Sequence, residues 1–217
     1  MVFVENVTNF GTSHEAALLK ARLEEMGYKV YKQSLRAEDY NGYTKRPRSF
    51  IFATKLDTEF SWPKPVKRTV HVWNDIILPN MNEMRDVSHT VSVAKGIETG
   101  RIRPLKEGAH VAPTLTKAQN QQTKDSLYVN IGDRYYMPSN KVLKMLMGIA
   151  SEFDASLFTN EVETQIYGQA VCLDLHKHIA QSIKKHIMEF VSQAGRGAER
   201  IVEVAKVTIS GVAPLNK

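Results

Sequence analysis

One cysteine, Cys172, stands among 217 residues. A single thiol excludes an internal disulfide framework and a zinc site built on clustered cysteines, and it suits a cytosolic protein. No apolar run approaches the roughly 20 residues that cross a bilayer. The opening Met1-Val2-Phe3-Val4-Glu5 lacks the basic region and long apolar stretch of a secretory signal. A cytoplasmic chain with no membrane partner is the expectation. Also missing are a glycine-rich phosphate loop, a cluster of zinc ligands and a Ser-His-Asp order. His176 and His178, two apart in a helical stretch, point to different faces and cannot share a metal; both read as surface histidines. Cys172 lies in an apolar neighbourhood and reads as a small buried hydrophobe, because a catalytic thiol needs a lowered pKa and access.

What the chain does have is enough apolar material for a core, 42% against 24% charged. Its net charge of +6 is unevenly placed. Residues 61–124 hold ten basic and five acidic residues, whereas the flanking segments are close to neutral. A basic middle between neutral ends suggests a surface that faces a polyanion.

Residues 1–4 read as a short buried strand entering a turn at residues 5–9. Thr12-Ser13-His14-Glu15 has capping-box spacing, and Ala16, Leu19, Leu23 and Met26 continue as a helical apolar stripe stopped by Gly27. Residues 28–35 read as a strand, Asp39-Tyr40-Asn41-Gly42 as a turn, and Ser49-Phe50-Ile51-Phe52-Ala53 as a strand covered on both faces. This is α/β material. From Trp62 to about Tyr136, prolines break the pattern, and short β-prone pieces fall at residues 70–72, 90–93 and 127–131. After Pro138, Ser139 can cap a helix through Val142, Leu143, Leu146 and Met147 that ends at Gly148. A long helix follows from about residue 173 to 193. Its apolar stripe is Leu175, Ile179, Ile183, Ile187 and Val191, with Gly195 and Gly197 as its stop. Residues 201–209 read as a final strand.

Several segments are informative together. Phe3-Val4-Glu5-Asn6-Val7 places an acid just past a strand end, where open α/β sheets keep their ligand chemistry. Residues 37–48 end in Lys45-Arg46-Pro47-Arg48 and lead into the buried strand. Gln165-Ile166-Tyr167-Gly168-Gln169-Ala170-Val171 precedes the long helix, with Tyr167 and Gly168 expected to set a turn.

In this order the segments resemble the C-terminal part of the DNA (cytosine-5) methyltransferase family. Phe3 to Val7 is similar to the family's Glu-Asn-Val motif. Met26-Gly27-Tyr28 is similar to its Leu-x-x-x-Gly-Tyr segment, and Asp39-Tyr40 through Arg48 to its Asp-Tyr-Gly-x-Pro-Gln-x-Arg-x-Arg motif. Phe60-Ser61-Trp62-Pro63-Lys64-Pro65 resembles the exit into the target-recognition region, and Ala112-Pro113-Thr114-Leu115-Thr116 the return from it. Arg134-Tyr135-Tyr136-Met137-Pro138 with Leu146-Met147-Gly148 resembles the segment that ends in Leu-x-Gly-Phe-Pro. Gln165 to Val171 resembles Gln-Ile-Gly-Asn-Ala-Val. The departures are Asn41, Tyr43 and Thr44 for the family's Gly, Pro and Gln, Gln169 for its Asn, and Ile149-Ala150 for its Phe-Pro. The family's cofactor loop and Pro-Cys nucleophile precede the Glu-Asn-Val motif and have no counterpart here. Cys172 is in the wrong segment to replace the nucleophile.

The resemblance implies an α/β fold: the C-terminal part of a Rossmann-like methyltransferase sheet plus a small, irregular, mostly β target-recognition domain. Residues 1–60 would form half of the catalytic domain and 61–136 the DNA-binding region. Residues 137–217 would return to the catalytic domain with a closing helix and final strand. Family chemistry adds a cysteine thiolate to carbon 6 of a flipped-out cytosine, so charge develops at nitrogen 3 and oxygen 2. By resemblance Glu5 serves nitrogen 3 and Arg48 oxygen 2, with Arg46 sharing that role or holding phosphate and Asn6 shaping the loop. Gln169 and Ala170 would border the S-adenosyl-L-methionine pocket. Lys64, Lys67, Arg68, Arg85, Arg101 and Arg103 are candidate contacts to double-stranded DNA. The expected partner is a second chain that carries the cofactor loop and nucleophile. A non-catalytic DNA-binding remnant is the alternative.

Overall fold

A computed structural model describes residues 1–155 and 157–193 of the chain. Its central strand, β3 (Pro47–Thr54), contains the expected doubly covered run, with Phe50, Ile51, Phe52 and Ala53 almost wholly buried. β1 (Val2–Val7) and β2 (Lys29–Arg36) flank it, both antiparallel to it. Phe50 and Phe52 point to the side of the long helix α5 (Leu173–Gln193), meeting the rings of His176 at 5.6 Å and His186 at 5.7 Å. Alternation sends Ser49 to the other side. There it meets the 3-10 turn Thr8–Thr12 so closely that a Cβ on Gly11 would lie 2.1 Å from Ser49 Oγ.

Helix α1 (His14–Glu25) begins one residue later than the capping-box spacing suggests. Ser13, not Thr12, is the cap, its Oγ accepting from Ala16 N–H at 3.3 Å. Gly27 ends the helix at φ +82°, where a side chain would be strained. β1 departs from expectation twice. It is half-buried rather than buried, with Met1, Phe3 and Val7 exposed, because among the described residues no strand covers its outer edge. It also continues to Val7, so Glu5 lies inside the strand and not past its end. Backbone pairing to β3 extends through Val7, opposite Arg48, and carries Glu5 with it.

A second core joins the 62–136 segment to helices α3 (Asn140–Leu146) and α4 (Asn160–Gln169). It holds Trp73, Ile77, Leu115, Leu127, Leu143, Leu146 and Tyr167. A small sheet lies beside it, β4 (Met84–Asp86), β6 (Arg134–Pro138) and β5 (Val129–Ile131) in that spatial order. Two of the β-prone pieces are not strands. Residues 70–72 run into the helical turn Trp73–Ile77, and residues 90–93 open helix α2 (Val91–Glu98). Val93 is fully buried with Val87, Ile102, Tyr128 and Met137, and that packing overrides the weak β preference of valine.

Helix α5 has the expected bounds but a different phase. A step of four residues overshoots a full turn by about 40°, so the four-residue repeat drifts off the sheet. Leu175 and Ile179 are buried, Ile183 packs half-buried on the same core, and the next fully buried residue is His186, while Ile187 is half-buried. Residues 195, 197 and 201–209, expected as helix stop and final strand, lie outside the described residues. None of the described helices is long and apolar enough to cross a membrane.

Candidate functional site

Cross-strand pairing of β1 with β3 puts Glu5 and Arg48 on the α5 side of the sheet. Arg48 Nε lies 2.9 Å from Glu5 Oε1, and the side chains are 16% and 25% exposed respectively. Arg48 Nη1 also donates to the Pro47 carbonyl at 2.8 Å. Phe3 stacks on Phe50 with ring centroids 5.8 Å apart and walls the same side. Both members of the pair therefore sit at a half-open sheet margin, shielded enough for their charges to act on a third group and open enough to be reached by one.

Arg46 is placed differently. It is 2% exposed, has φ +21°, and its Nη1 donates to the carbonyls of Leu115 at 3.2 Å and Gly168 at 3.1 Å. Burial lowers its pKa to about 10, and the nearby Arg48 pushes the same way. An internal cation of this kind binds the arginine loop, the return segment and the end of α4 into one unit. Gly168 is required there, since a Cβ would lie 2.2 Å from the Thr116 carbonyl oxygen. The same loop moors both ends of the basic segment. Val66 N–H donates to the Asp39 carbonyl at 2.9 Å, and Ala112 N–H donates to the Tyr43 carbonyl at 2.8 Å.

Gln169 is the exposed last residue of α4, and Ala170 is its C-cap. The stretch that should have been a turn at Tyr167-Gly168 is helical, because Thr159 caps α4 upstream by accepting from Val162 N–H. Gln169 and Ala170 line a groove of about 710 Å³ with Ile149, Phe153, Ile166 and Val171. Its wall is apolar apart from Gln165 and Gln169.

Cys172 is 2% exposed between sheet and helix, and burial pushes its thiol pKa up. A thiol held neutral and covered is not a nucleophile, as the sequence suggested. His176 and His178 are not surface residues. Both are half-buried against aromatic rings, His176 on Phe3 and Phe50 and His178 on Tyr40.

The six candidate DNA contacts divide in two. Arg68 is half-buried and committed to main chain, donating to the carbonyls of Glu38, Gly42 and His110. Lys64, Lys67, Arg85, Arg101 and Arg103 are exposed and form no ion pair among the described residues. Sequence reasoning missed His186, 2% exposed, with Nδ1 3.1 Å from Thr58 Oγ1 and Nε2 3.3 Å from Thr54 Oγ1. A 3.6-residue helical phase, in place of a four-residue one, would have found it.

A family model described as C-5 cytosine-specific DNA methylase matches residues 1–185. No curated protein sequence matches the chain. Among solved structures, the chain is similar to the S. pombe Dnmt2 methyltransferase, with a TM-score of 0.64, 14% identity and 83% of this chain covered. A mutant of Spodoptera frugiperda DNMT2 gives a TM-score of 0.65 at 13% identity, again over 83% of this chain. A putative DNA modification methyltransferase encoded within a prophage of E. coli gives 0.59 at 13% identity over 85% of this chain, with 69% of that protein covered. The chain spans 63% and 65% of the lengths of the first two proteins, less than two thirds of each. At such identities these likenesses concern the fold.

Proposed function

Because this chain belongs to the C-5 cytosine-specific DNA methylase family, we propose that it serves methyl transfer from S-adenosyl-L-methionine to carbon 5 of cytosine in double-stranded DNA, with Glu5 and Arg48 holding the reacting base. The observation that carries this reading is the Glu5–Arg48 pair at 2.9 Å. Cytosine presents nitrogen 3 and oxygen 2 side by side on one edge. A carboxyl and a guanidinium held side by side on neighbouring strands match that edge. When a thiolate adds to carbon 6, electron density moves onto those two atoms. Groups already aimed there stabilise it without reorganising. The Nε–Oε1 contact occupies one oxygen of Glu5, and Arg48 spends Nε on it and Nη1 on the Pro47 carbonyl, which leaves Glu5 Oε2 and Arg48 Nη2 for the base. Arg46, committed to two carbonyls, holds the loop that presents Arg48.

The apolar groove beside Gln169 and Ala170 suits a flat, uncharged ring, and Ile149, Phe153 and Ile166 would hold the adenine end of S-adenosyl-L-methionine there. None of its lining residues is charged, so the ribose and amino-acid ends of that cofactor need other residues. The cofactor, when bound, supplies the electrophilic methyl group. This chain's part is to hold the base and grip the DNA around it. A second chain would bring the glycine-rich loop and the Pro-Cys nucleophile, docking on the outer edge of β1. The half-exposed apolar residues there and the absence of a strand neighbour among the described residues support that seat.

The test is methyl transfer to duplex DNA by this chain with its partner, comparing wild type, Glu5→Gln and Arg48→Ala. Each variant is expected to lose about 10²–10³ in rate, roughly 3–4 kcal/mol. Duplex affinity should change far less, since backbone contacts supply most of it. Near-normal turnover with Glu5→Gln at an unchanged melting temperature overturns the reading. DNA binding without methylation under any pairing would favour a non-catalytic binding role.

A further inference from the structure

Helix α2 presents a polar face away from its core. Val93 is fully buried and Gly96 is packed so tightly that a Cβ would lie 2.6 Å from Ile102 Cδ1. Ser92, Lys95 and Thr99 are spaced three and four apart, so they share the opposite, exposed face. The chain then reverses at Gly100, which has φ +68°, and Ile102 N–H donates to the Gly96 carbonyl at 2.8 Å. That reversal folds Arg101 back onto the helix it has just left. The four residues Ser92, Lys95, Thr99 and Arg101 enclose a depression of about 350 Å³.

The charges that line this depression, Lys95 and Arg101, are of one sign. Residues 84–106 carry five basic and two acidic residues. Asp86 is engaged by Arg134 at 3.3 Å, and Glu98, on the same helix, does not line the depression. Lys95 and Arg101 form no ion pair among the described residues. Arg85 adds to the same field. It and Arg101 both flank Tyr128, where their positive charges oppose the upward push that burial gives its hydroxyl. Thr99 spends its hydroxyl hydrogen on the Lys95 and Gly96 carbonyls, at 2.8 and 3.3 Å. The donors left for a ligand are the Ser92 hydroxyl, the Lys95 ammonium and the Arg101 guanidinium. Beneath them Val87, Val93, Ile102, Tyr128 and Met137 form a packed base that fixes the helix and the reversal. Three donors, two of them cationic, converging on a shallow, rigid depression are the complement of a phosphodiester.

We propose that Ser92, Lys95 and Arg101 form a seat for a backbone phosphate of duplex DNA, making α2 the helix that anchors the recognition region to its substrate. This rests on the DNA-methylating reading above and deepens it. The anchor is a phosphate contact, not a base contact, and Lys95, not Arg68, is its companion to Arg101. Arg68 has both terminal nitrogens on main-chain carbonyls and takes no part.

The experiment is a titration of labelled duplex DNA with the full chain over a range of salt concentrations. Wild type is compared with Lys95→Ala, Arg101→Ala, the double variant and Lys64→Ala, with melting curves for each. Every phosphate contact contributes a slope of about 0.9 in log K against log salt, which at about 0.1 M salt is roughly eightfold in affinity. Lys95→Ala and Arg101→Ala should each lose part of this one contact and the double variant all of it, about eightfold in affinity, its slope flattening by about 0.9. The losses should be equal on unrelated DNA sequences. A double variant that keeps the wild-type slope on DNA that wild type does bind overturns the phosphate seat and leaves the DNA-methylating reading standing. A sequence-dependent loss overturns it in favour of base contact. If wild type binds no duplex at all, the seat and the broader reading fail together.

Discussion

Arg46 Nη1 lies 3.1 Å from the carbonyl oxygen of Gly168, a residue 122 positions further along the chain. With its second bond, to Leu115, it closes two long excursions of the backbone on a single buried guanidinium. Removing it leaves two carbonyls without their donor. Arg46→Met should therefore cost about 2–3 kcal/mol, the range for orphaned buried acceptors after allowing for relief of a buried charge. Arg46→Lys should rescue little, because a lysine ammonium is more strongly hydrated than a guanidinium and costs more to bury. Urea unfolding measures both. A wild-type midpoint for Arg46→Met would show that the contact holds nothing.

Gly168→Ala should destabilise by about 1–3 kcal/mol through overpacking, because the new methyl meets the Thr116 carbonyl oxygen. At neighbouring Gln169, exposed at the end of α4, substitution by Ala should leave the melting temperature almost unchanged. Equal melting temperatures for wild type and Gly168→Ala would contradict the close approach.

The phase of α5 can be checked by a pair of truncations. His186→Ala removes a buried ring from Phe52 and Phe60 and strands the hydroxyls of Thr54 and Thr58. A loss of about 2–4 kcal/mol is expected. Ile187→Ala, at a half-buried position, should cost clearly less. Reversed magnitudes in chemical denaturation would restore the strict four-residue stripe.

Cys172 supplies a prediction in pH. Thiolate is the reactive form, and burial raises the pKa of this thiol. The folded chain should therefore resist iodoacetamide at about pH 8, where an ordinary thiol is part ionised. Raising the pH should speed labelling only beyond the usual thiol range, and denaturant should release it at once. Labelling of folded protein at the rate of a free thiol, followed by mass spectrometry, would refute the buried placement.

The sequence pattern made the first sixty residues legible. An unbroken apolar run marked β3, Asn-Gly marked the turn before it, and Gly27 marked the end of α1. These signals are local, and local packing decided them. Glu5 and Arg48 stood out in the sequence through their motifs, but not as side chains paired across neighbouring strands. Cross-strand register depends on residues 43 positions apart. The middle segment was misread where valines suggested strand. Val93 is helical because Ile102, Tyr128 and Met137 bury it, and no window around residue 93 contains the last two. Arg46 and Arg68 looked like their exposed neighbours for the same reason. Nothing in an arginine's spelling tells whether its donors meet water, phosphate or distant carbonyls.

Both ends of the basic segment leave from and return to one loop, through Val66 to Asp39 and Ala112 to Tyr43. Anything inserted or deleted between those moorings alters a closed circuit whose terminals stay fixed. Lengthening such a circuit costs only slowly growing closure entropy, about 0.6 kcal/mol for each doubling. The loop that presents Arg48 thus works as a socket: the segment around α2 can change in length and composition while the pairing of Glu5 with Arg48 stays in place.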